Sequence, residues 1–343
     1  MPVVPVAELR ELVLERLREA GAPAGPAQAQ ASMLIEAELR GLPSHGVLRL
    51  PRLLRRVRSG VLDPAAGGAH AWRASGWLDV DGQNGFGPYV AEQALAEAAR
   101  RLPETGCVLV TVRRNNHLGM LSWYAERAAE AGHVLIATTT SEALVHPWHG
   151  SVAMVGTNPL AIGVPAEPSP FVIDLATSLV SMGRIHDHAN RGEPLPAGWA
   201  RDATGTPTTD AEAATTGSIA PFGGPKGYAL GLALGVLVAA LTGTSLGRAV
   251  QGTLTDAEAA TKGDLFILAE QRDGDGPAAI GRYLGEVRAS PPAEEGVPVR
   301  VPGDRTARER DLRQRQGIAV PDAVWSQLSL RTTGSPLTKG DNR

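Results

Sequence analysis

Trp77-Leu78-Asp79-Val80-Asp81-Gly82-Gln83-Asn84-Gly85-Phe86-Gly87 sets the fold class. Trp77 to Asp81 alternates apolar and polar residues as a strand does, Gly82 to Gly87 is a glycine-rich turn, and Pro88 to Leu102 is helical with proline in its first turn. A dinucleotide-binding Rossmann unit places G-x-G-x-x-G between strand and helix, so that the backbone can approach a pyrophosphate; here the spacing is reversed, which excludes the standard Rossmann fold.

Outward from this stretch, strand and helix patterns alternate. Cys107 to Val112 predicts a strand, Met120 to Glu130 a helix, and Val134 to Thr139, Leu160 to Val164 and Val172 to Leu175 further strands. Upstream, Val6 to Ala20, Pro26 to Leu39 and Leu48 to Val57 read as helices with narrow apolar faces that need something to pack against. Residues 189 to 220 lack periodicity and read as a long surface excursion, Gly224 to Leu241 as a buried helix, and Thr306 to Gln316 as a charged one. Arg331 to Arg343 has no apolar anchor and reads as a disordered tail.

The 343 residues are 43% apolar and 20% charged with net charge −3, a balance without the basic footprint of a nucleic-acid or anionic-membrane binder, so a small molecule is the expected partner. Glu8, Glu11 and Glu15 among arginines do not make a signal peptide, and the apolar run Tyr228 to Leu241 is too short to span a bilayer. The single cysteine, Cys107, reads as a buried small apolar residue in a reducing cytoplasm.

Several short motifs carry chemistry. Ser44-His45-Gly46 with Arg49 sets an imidazole beside a hydroxyl and four residues before a guanidinium, which suits a proton donor and a carboxylate clamp; the same octapeptide, Leu42 to Arg49, also suits helix ending and capping. Asn115-Asn116-His117-Leu118-Gly119 follows a strand and offers side-chain donors and helix-start amides for a phosphate or carboxamide, or simply a capped turn. Gly156-Thr157-Asn158-Pro159 is a turn in which Thr157 can bond a ligand, and Asp174-Leu175-Ala176-Thr177-Ser178 ends a strand with a carboxylate and hydroxyls. Lys226, in Gly223-Gly224-Pro225-Lys226-Gly227, faces the positive end of a helix dipole, a placement that an anion would favour. His186-Asp187-His188 and His146-Pro147-Trp148-His149 lack further ligands at recognisable spacing, so no metal is expected.

In this order the motifs, together with Val301-Pro302-Gly303-Asp304-Arg305, resemble the type 2 malate/L-lactate dehydrogenase family, over about Pro5 to Trp325. That family also includes ureidoglycolate and sulfolactate dehydrogenases and cyclic-imine reductases. The resemblance implies an α/β chain with a non-Rossmann cofactor-binding domain on a mixed sheet (76–284) and a helical domain built from both chain ends (1–75 with 285–330). It implies NAD or NADP, without choosing between them, a small carboxylate substrate and a homodimer. Carried over by position, His45 is the proton donor or acceptor with Ser44 in a relay, and Arg49 and Thr157 contact substrate. His117, Leu118, Gly119, Met120, Leu121, Asp174, Leu175, Ala176, Lys226, Gly227, Gly303, Asp304 and Arg308 contact the cofactor.

Three departures stand out. Arg184 occupies the place of an aspartate found in imine-reducing members, where a cation would favour a second anionic group on the substrate. Lys262-Gly263-Asp264 replaces a Gly-His pair, and Ser141 to His149 holds two histidines in a usually apolar stretch. The expected activity is hydride transfer at C2 of a 2-oxo or 2-hydroxy acid. A cyclic-imine reductase and a non-catalytic ligand-binding relative are the alternatives.

Overall fold

The computed structural model describes residues 1–272 and 274–329. Strand β1 (Val3–Val4) leads into helices α1 (Val6–Glu19) and α2 (Ala24–Leu39), then two 3-10 turns, Pro43–His45 and Val47–Arg49, then α3 (Leu50–Arg58). There follow β2 (Ala69–Ala74), β3 (Trp77–Asp81), α4 (Gly87–Thr105), β4 (Cys107–Arg113), α5 (Ser122–Glu130), β5 (His133–Thr139), β6 (Leu160–Val164) and β7 (Phe171–Leu175). The rest comprises α6 (Met182–Arg191), β8 (Ala200–Arg201), β9 (Pro207–Thr208), α7 (Ala211–Ala214), β10 (Ser218–Ile219), α8 (Pro225–Thr242), β11 (Gly263–Glu270), α9 (Gly276–Ala289), α10 (Asp304–Gln316), β12 (Ile318–Ala319) and α11 (Asp322–Ser329).

The main sheet has seven strands in the order β2-β3-β4-β11-β5-β6-β7. Only β3 and β4 run parallel; every other pair in it is antiparallel, so this mixed sheet is not a doubly wound parallel one. The late strand β11 enters between β4 and β5, and its residues Gly263 to Phe266 are all buried, as a central strand requires. Phe266 and Leu268 join Leu78, Val110, Leu135 and Ala161 with residues of α4 and α5 in one core.

A second core unites the chain ends. Leu9, Leu17, Leu34, Ile35, Leu50 and Leu53 of α1 to α3 pack with Ile318, Val320, Val324 and Leu328, and β1 pairs with β12. Helix α2 is not the narrow amphipathic helix expected: it is buried on nearly all sides, with Met33 and Ala37 in the sheet core and Leu34 and Ile35 in the helical one. It is the rod that fixes the loop after it against the sheet.

Three further expectations are corrected. Residues 189 to 220 are not a bare excursion: β8, β9 and β10 form a small sheet, and Leu195, Ala200, Ala211, Ala214 and Ile219 close a third core with Val145, Val155 and Ile185. Their apolar anchors are too irregularly spaced to show a period. Cys107 is exposed, because it is the first residue of β4, at the strand's end. Helix α8 is 18 residues long, long and apolar enough to cross a membrane, yet Gly227, Gly231, Leu234, Gly235 and Val238 are buried and the helix packs on β4, β5 and β11. Its other side is open: Leu232, Val236 and Leu237 are 42%, 48% and 44% exposed, so it is not the wholly buried helix its composition suggested. The tail expected at Arg331 to Arg343 lies outside the described residues.

Candidate active site

Gly46 joins the two 3-10 turns after α2, and a Cβ there would lie 2.1 Å from Glu38 Oε1. Its absence lets the buried Glu38 carboxyl reach over the loop and accept the Val47 amide at 2.8 Å. Burial pushes the Glu38 carboxyl up to about 7, against the bond from Val47 and the charge of Arg313. The turn so held half-buries His45, whose ring stacks on that of His117 at 5.3 Å between centroids and 13° between planes.

Burial, and next the charge of Arg49, lower the His45 pKa to about 4. His117 is lowered as well, by burial and then by Arg49, His45, Lys262 and Arg52. His45 Nδ1 is buried without a hydrogen-bond partner. Arg49 donates from Nε to Ser44 O at 2.8 Å and from Nη1 to Thr253 O at 3.4 Å. Burial and then Arg52 lower its pKa to about 10, partly opposed by Glu142. This corner brings together four arginines, Arg49, Arg52, Arg55 and Arg56, and two imidazoles, with Asp256 and Glu142 as the anions that act on them.

His45 opens on a cavity of about 900 Å³. Of the residues expected at the site, Ser44, His45, Arg49, Gly119, Met120, Leu121, Thr157, Asp174 and Ala176 line it. Asp174, at the end of β7, accepts the Ser122 amide at 2.7 Å and so caps the start of α5; burial raises its pKa, opposed by the bonds from Ser122 and Leu121. The helix begins there rather than at Met120.

Other expected residues stand apart from the lining. His117 sits behind His45, and Leu118 is buried with its carbonyl accepting the Tyr124 hydroxyl at 2.6 Å. Leu175 is half exposed on β7. Lys226 is exposed on the first turn of α8, while Gly227 is packed so closely that a Cβ would meet Phe222 O at 1.8 Å. Gly303 lies beside Val172, two residues before Asp174, with its Cβ position 3.6 Å from Val172 O. Asp304 is bonded to Arg288 at 2.9 Å, and Arg308 is exposed on α10.

Two of the expected site residues have other neighbours. The guanidinium of Arg184 lies 5.4 Å from the Trp199 ring centroid, away from the cavity, where α6 presents Met182, Gly183 and His186 instead. Among the described residues no hydrogen bond joins the Ser44 hydroxyl to His45; the ring faces His117. Among the described residues no group of three or more His, Cys, Asp or Glu is placed to hold a metal ion.

Sequence reasoning missed Arg52 and Arg55, which line the cavity beside Arg49. They follow it by three and six residues on one helix face, a spacing that was readable. It also missed Leu254, which reaches the cavity from a strap, residues 250–260, with no local pattern to announce it.

Residues 4–329 match the family model described as malate/L-lactate dehydrogenase. The chain belongs to that family. Among solved structures, this malate/L-lactate dehydrogenase family member is similar to a dehydrogenase from Sinorhizobium meliloti, at 48% identity and TM-score 0.92, covering 95% of this chain and 97% of that one. It is 34% identical to a (2R)-3-sulfolactate dehydrogenase (NADP(+)) from Chromohalobacter salexigens, over 95% of this chain and 97% of the relative. It is 33% identical to a Δ1-pyrroline-2-carboxylate/Δ1-piperideine-2-carboxylate reductase from Pseudomonas aeruginosa, over 94% and 96%.

The family uses NAD(P). The residues of this member fit such a group: the cavity is larger than a small acid needs, its sheet side offers the Asp174 carboxylate beside the start of α5, and the buried Ser178 hydroxyl there has no partner.

Proposed function

We propose that this chain interconverts 2-oxo acids that carry a second anionic group and the corresponding 2-hydroxy acids, with NAD(P). The observation that carries the reading is the row Arg49, Arg52 and Arg55 on the same cavity as His45: Asp256 pairs closely with Arg55, at 2.5 Å, and only at 3.9 Å with Arg52, which leaves Arg49 and Arg52 to meet a dianion. Arg184 no longer supports it, being turned toward Trp199; Arg52 takes that part.

Arg49 holds the C1 carboxylate, and Arg52 the second anion. His45 gives a proton to the substrate oxygen in reduction and takes it back in oxidation. Neutralising Arg49 with a carboxylate relieves the smaller of the two causes that lower the His45 pKa, while burial, the larger, persists. Thr157, whose amide is anchored by Ser141 Oγ at 2.9 Å, contacts the substrate from the opposite wall, and Ser44 places the loop rather than relaying a proton. Gly119, Met120, Leu121, Asp174, Ala176 and Ser178 would hold the nicotinamide half of the cofactor, with His117 and Leu118 behind them. Leu175, Lys226, Gly227, Gly303, Asp304 and Arg308 remain as contacts for its other end. The bound nicotinamide supplies the hydride in one direction and accepts it in the other.

The test is one preparation assayed with NADH and NADPH against a 2-oxo dicarboxylate, a 2-oxo sulfonate, pyruvate and a cyclic imino acid. The dianions should give the highest kcat/KM by about 100-fold, the worth of about 3 kcal/mol for one buried charged contact. Preference for the imino acid would install the reductase reading, which the similarity to the Pseudomonas aeruginosa enzyme keeps in play.

We also infer a homodimer. Leu232 and Val236 of α8, with Met154 and Leu246 against them, form an exposed apolar patch of the kind that a second copy covers. Light scattering should show Val236→Asp as a monomer beside a dimeric wild type. The division into a helical domain (1–75 with 285–330) and an α/β domain (76–284) is supported in outline by the core that unites the chain ends, although β2 pairs into the main sheet and α9 runs across residue 284; limited proteolysis would test it.

A further inference from the structure

Residues 250–260 form a strap without helix or strand, laid across α3. From the α3 side it is held by cations: Arg49 Nη1 donates to Thr253 O at 3.4 Å, and Arg56 Nη1 to Thr255 O at 2.6 Å and Glu258 O at 3.0 Å. Arg55 adds an ion pair with Asp256 at 2.5 Å. From the other side a single carboxylate takes three bonds. Glu142 accepts the Thr253 amide at 2.6 Å, the Leu254 amide at 2.8 Å and the Thr253 hydroxyl. The peptide at Thr253 therefore bridges Glu142 and Arg49: its N–H side meets the carboxylate, and its carbonyl meets the guanidinium.

This arrangement has a consequence for the site. With Nε on Ser44 O and Nη1 on Thr253 O, Arg49 keeps Nη2 without a hydrogen bond among the described residues, and the side chain lines the cavity. Leu254, the next residue of the strap, lines the cavity as well. Glu142 thus reaches the cavity's guanidinium through one peptide rather than by touching a ligand.

We infer that Glu142 is a positioning residue for substrate: by clamping the strap at Thr253 and Leu254 it sets the orientation in which Arg49 presents its free edge to the substrate carboxylate. The inference rests on Arg49 being the carboxylate clamp of the proposed function. Strap and guanidinium move together, so loss of the clamp weakens carboxylate binding and leaves the nicotinamide side untouched.

The experiment compares Glu142→Ala and Glu142→Gln in the full chain. Glutamine retains the Oε1 acceptor that both amides use, so E142Q should stay within about threefold of wild type, whereas E142A should raise the KM for the dianionic 2-oxo acid about tenfold. In E142A, kcat and cofactor affinity by fluorescence titration should stay within about twofold, and malonate, a non-reacting dianion, should bind about tenfold more weakly by calorimetry. Adding E142A to Arg49→Ala should cost nothing more, because the effect runs through Arg49. An unchanged KM and malonate affinity in E142A, or an equal loss of cofactor affinity, would overturn the inference. If Arg49→Ala itself left KM unchanged, the proposed function would fail instead. Should E142A not fold, Thr253→Val removes only the hydroxyl contact; a KM raised about threefold supports the clamp, and an unchanged one overturns it.

Discussion

Arg49, Arg52 and Arg55 face the cavity from one side, and Asp174, Thr157 and Gly119 face it from the other. On the sheet side the one carboxylate has hydrogen-bond partners: Asp174 accepts the Ser122 amide at the first turn of α5, which opposes in part the rise that burial gives its pKa. On the guanidinium side cations predominate. Arg49 is pushed down to about 10 by burial and then by Arg52, with Glu142 opposing in part, and His45 to about 4 by burial and then by Arg49. A wall rich in cations suits an anion and a wall of amides and hydroxyls suits a carboxamide, so on the proposed reading the anionic substrate lies against the first and the nicotinamide against the second.

The comparison breaks most visibly at His45. His45→Ala should lower kcat roughly 1,000-fold, the usual worth of a placed acid-base group, while cofactor binding by fluorescence stays as in wild type. Near-normal turnover would remove the imidazole from the chemistry.

Next in size is a stability effect behind the same wall. The folded state holds the Glu38 proton up to about 7, against 4.5 when unfolded, so this carboxyl contributes stability that is full below 4.5 and lost as pH rises through about 7. Glu38→Gln abolishes that dependence. Relative to wild type, the variant should gain about 3 kcal/mol as pH climbs across this window, read by denaturant titration. His45 works in the opposite sense: its lowered pKa gives stability present above 6.5 and lost as pH falls through about 4. A pH-independent difference between E38Q and wild type would show that Glu38 titrates alike in the folded and unfolded chain.

Smaller effects sharpen the assignment. Arg49→Lys keeps the charge and loses the planar fork, so the substrate KM should rise about 30-fold with a lesser change in kcat. Arg52→Ala should raise KM about tenfold for a dianionic substrate and leave pyruvate within about twofold. Equal losses for both substrates would return Arg52 to a structural role.

How much of this was legible in the sequence depends on whether the signal was local. The alternation of Trp77 to Asp81 and the reversed glycine spacing after it place a strand-turn-helix that the structure contains, and the loop from Ser44 to Arg49 reads directly as a polar interruption between helices. The central place of β11 was not legible, because a strand's neighbours are set by pairing with Val108 to Arg113 and Leu135 to Thr139, far back in the chain. Helix α8 is apolar on every side, so its composition cannot tell the face on the sheet from the face left open. The strap binds Arg56 through main-chain carbonyls, which every residue has, and so leaves no mark in the residue types. Position in a motif does not fix a rotamer, so the sequence could not tell that the Arg184 guanidinium lies over the Trp199 ring.

The most direct test is a crystal structure with the cofactor and a non-reacting dianion such as malonate bound. The account predicts one carboxylate on Arg49 and the other on Arg52, each at about 3 Å, with His45 facing the carbon between them. A dianion settled beside Asp174, with the nicotinamide against the guanidiniums, would contradict it.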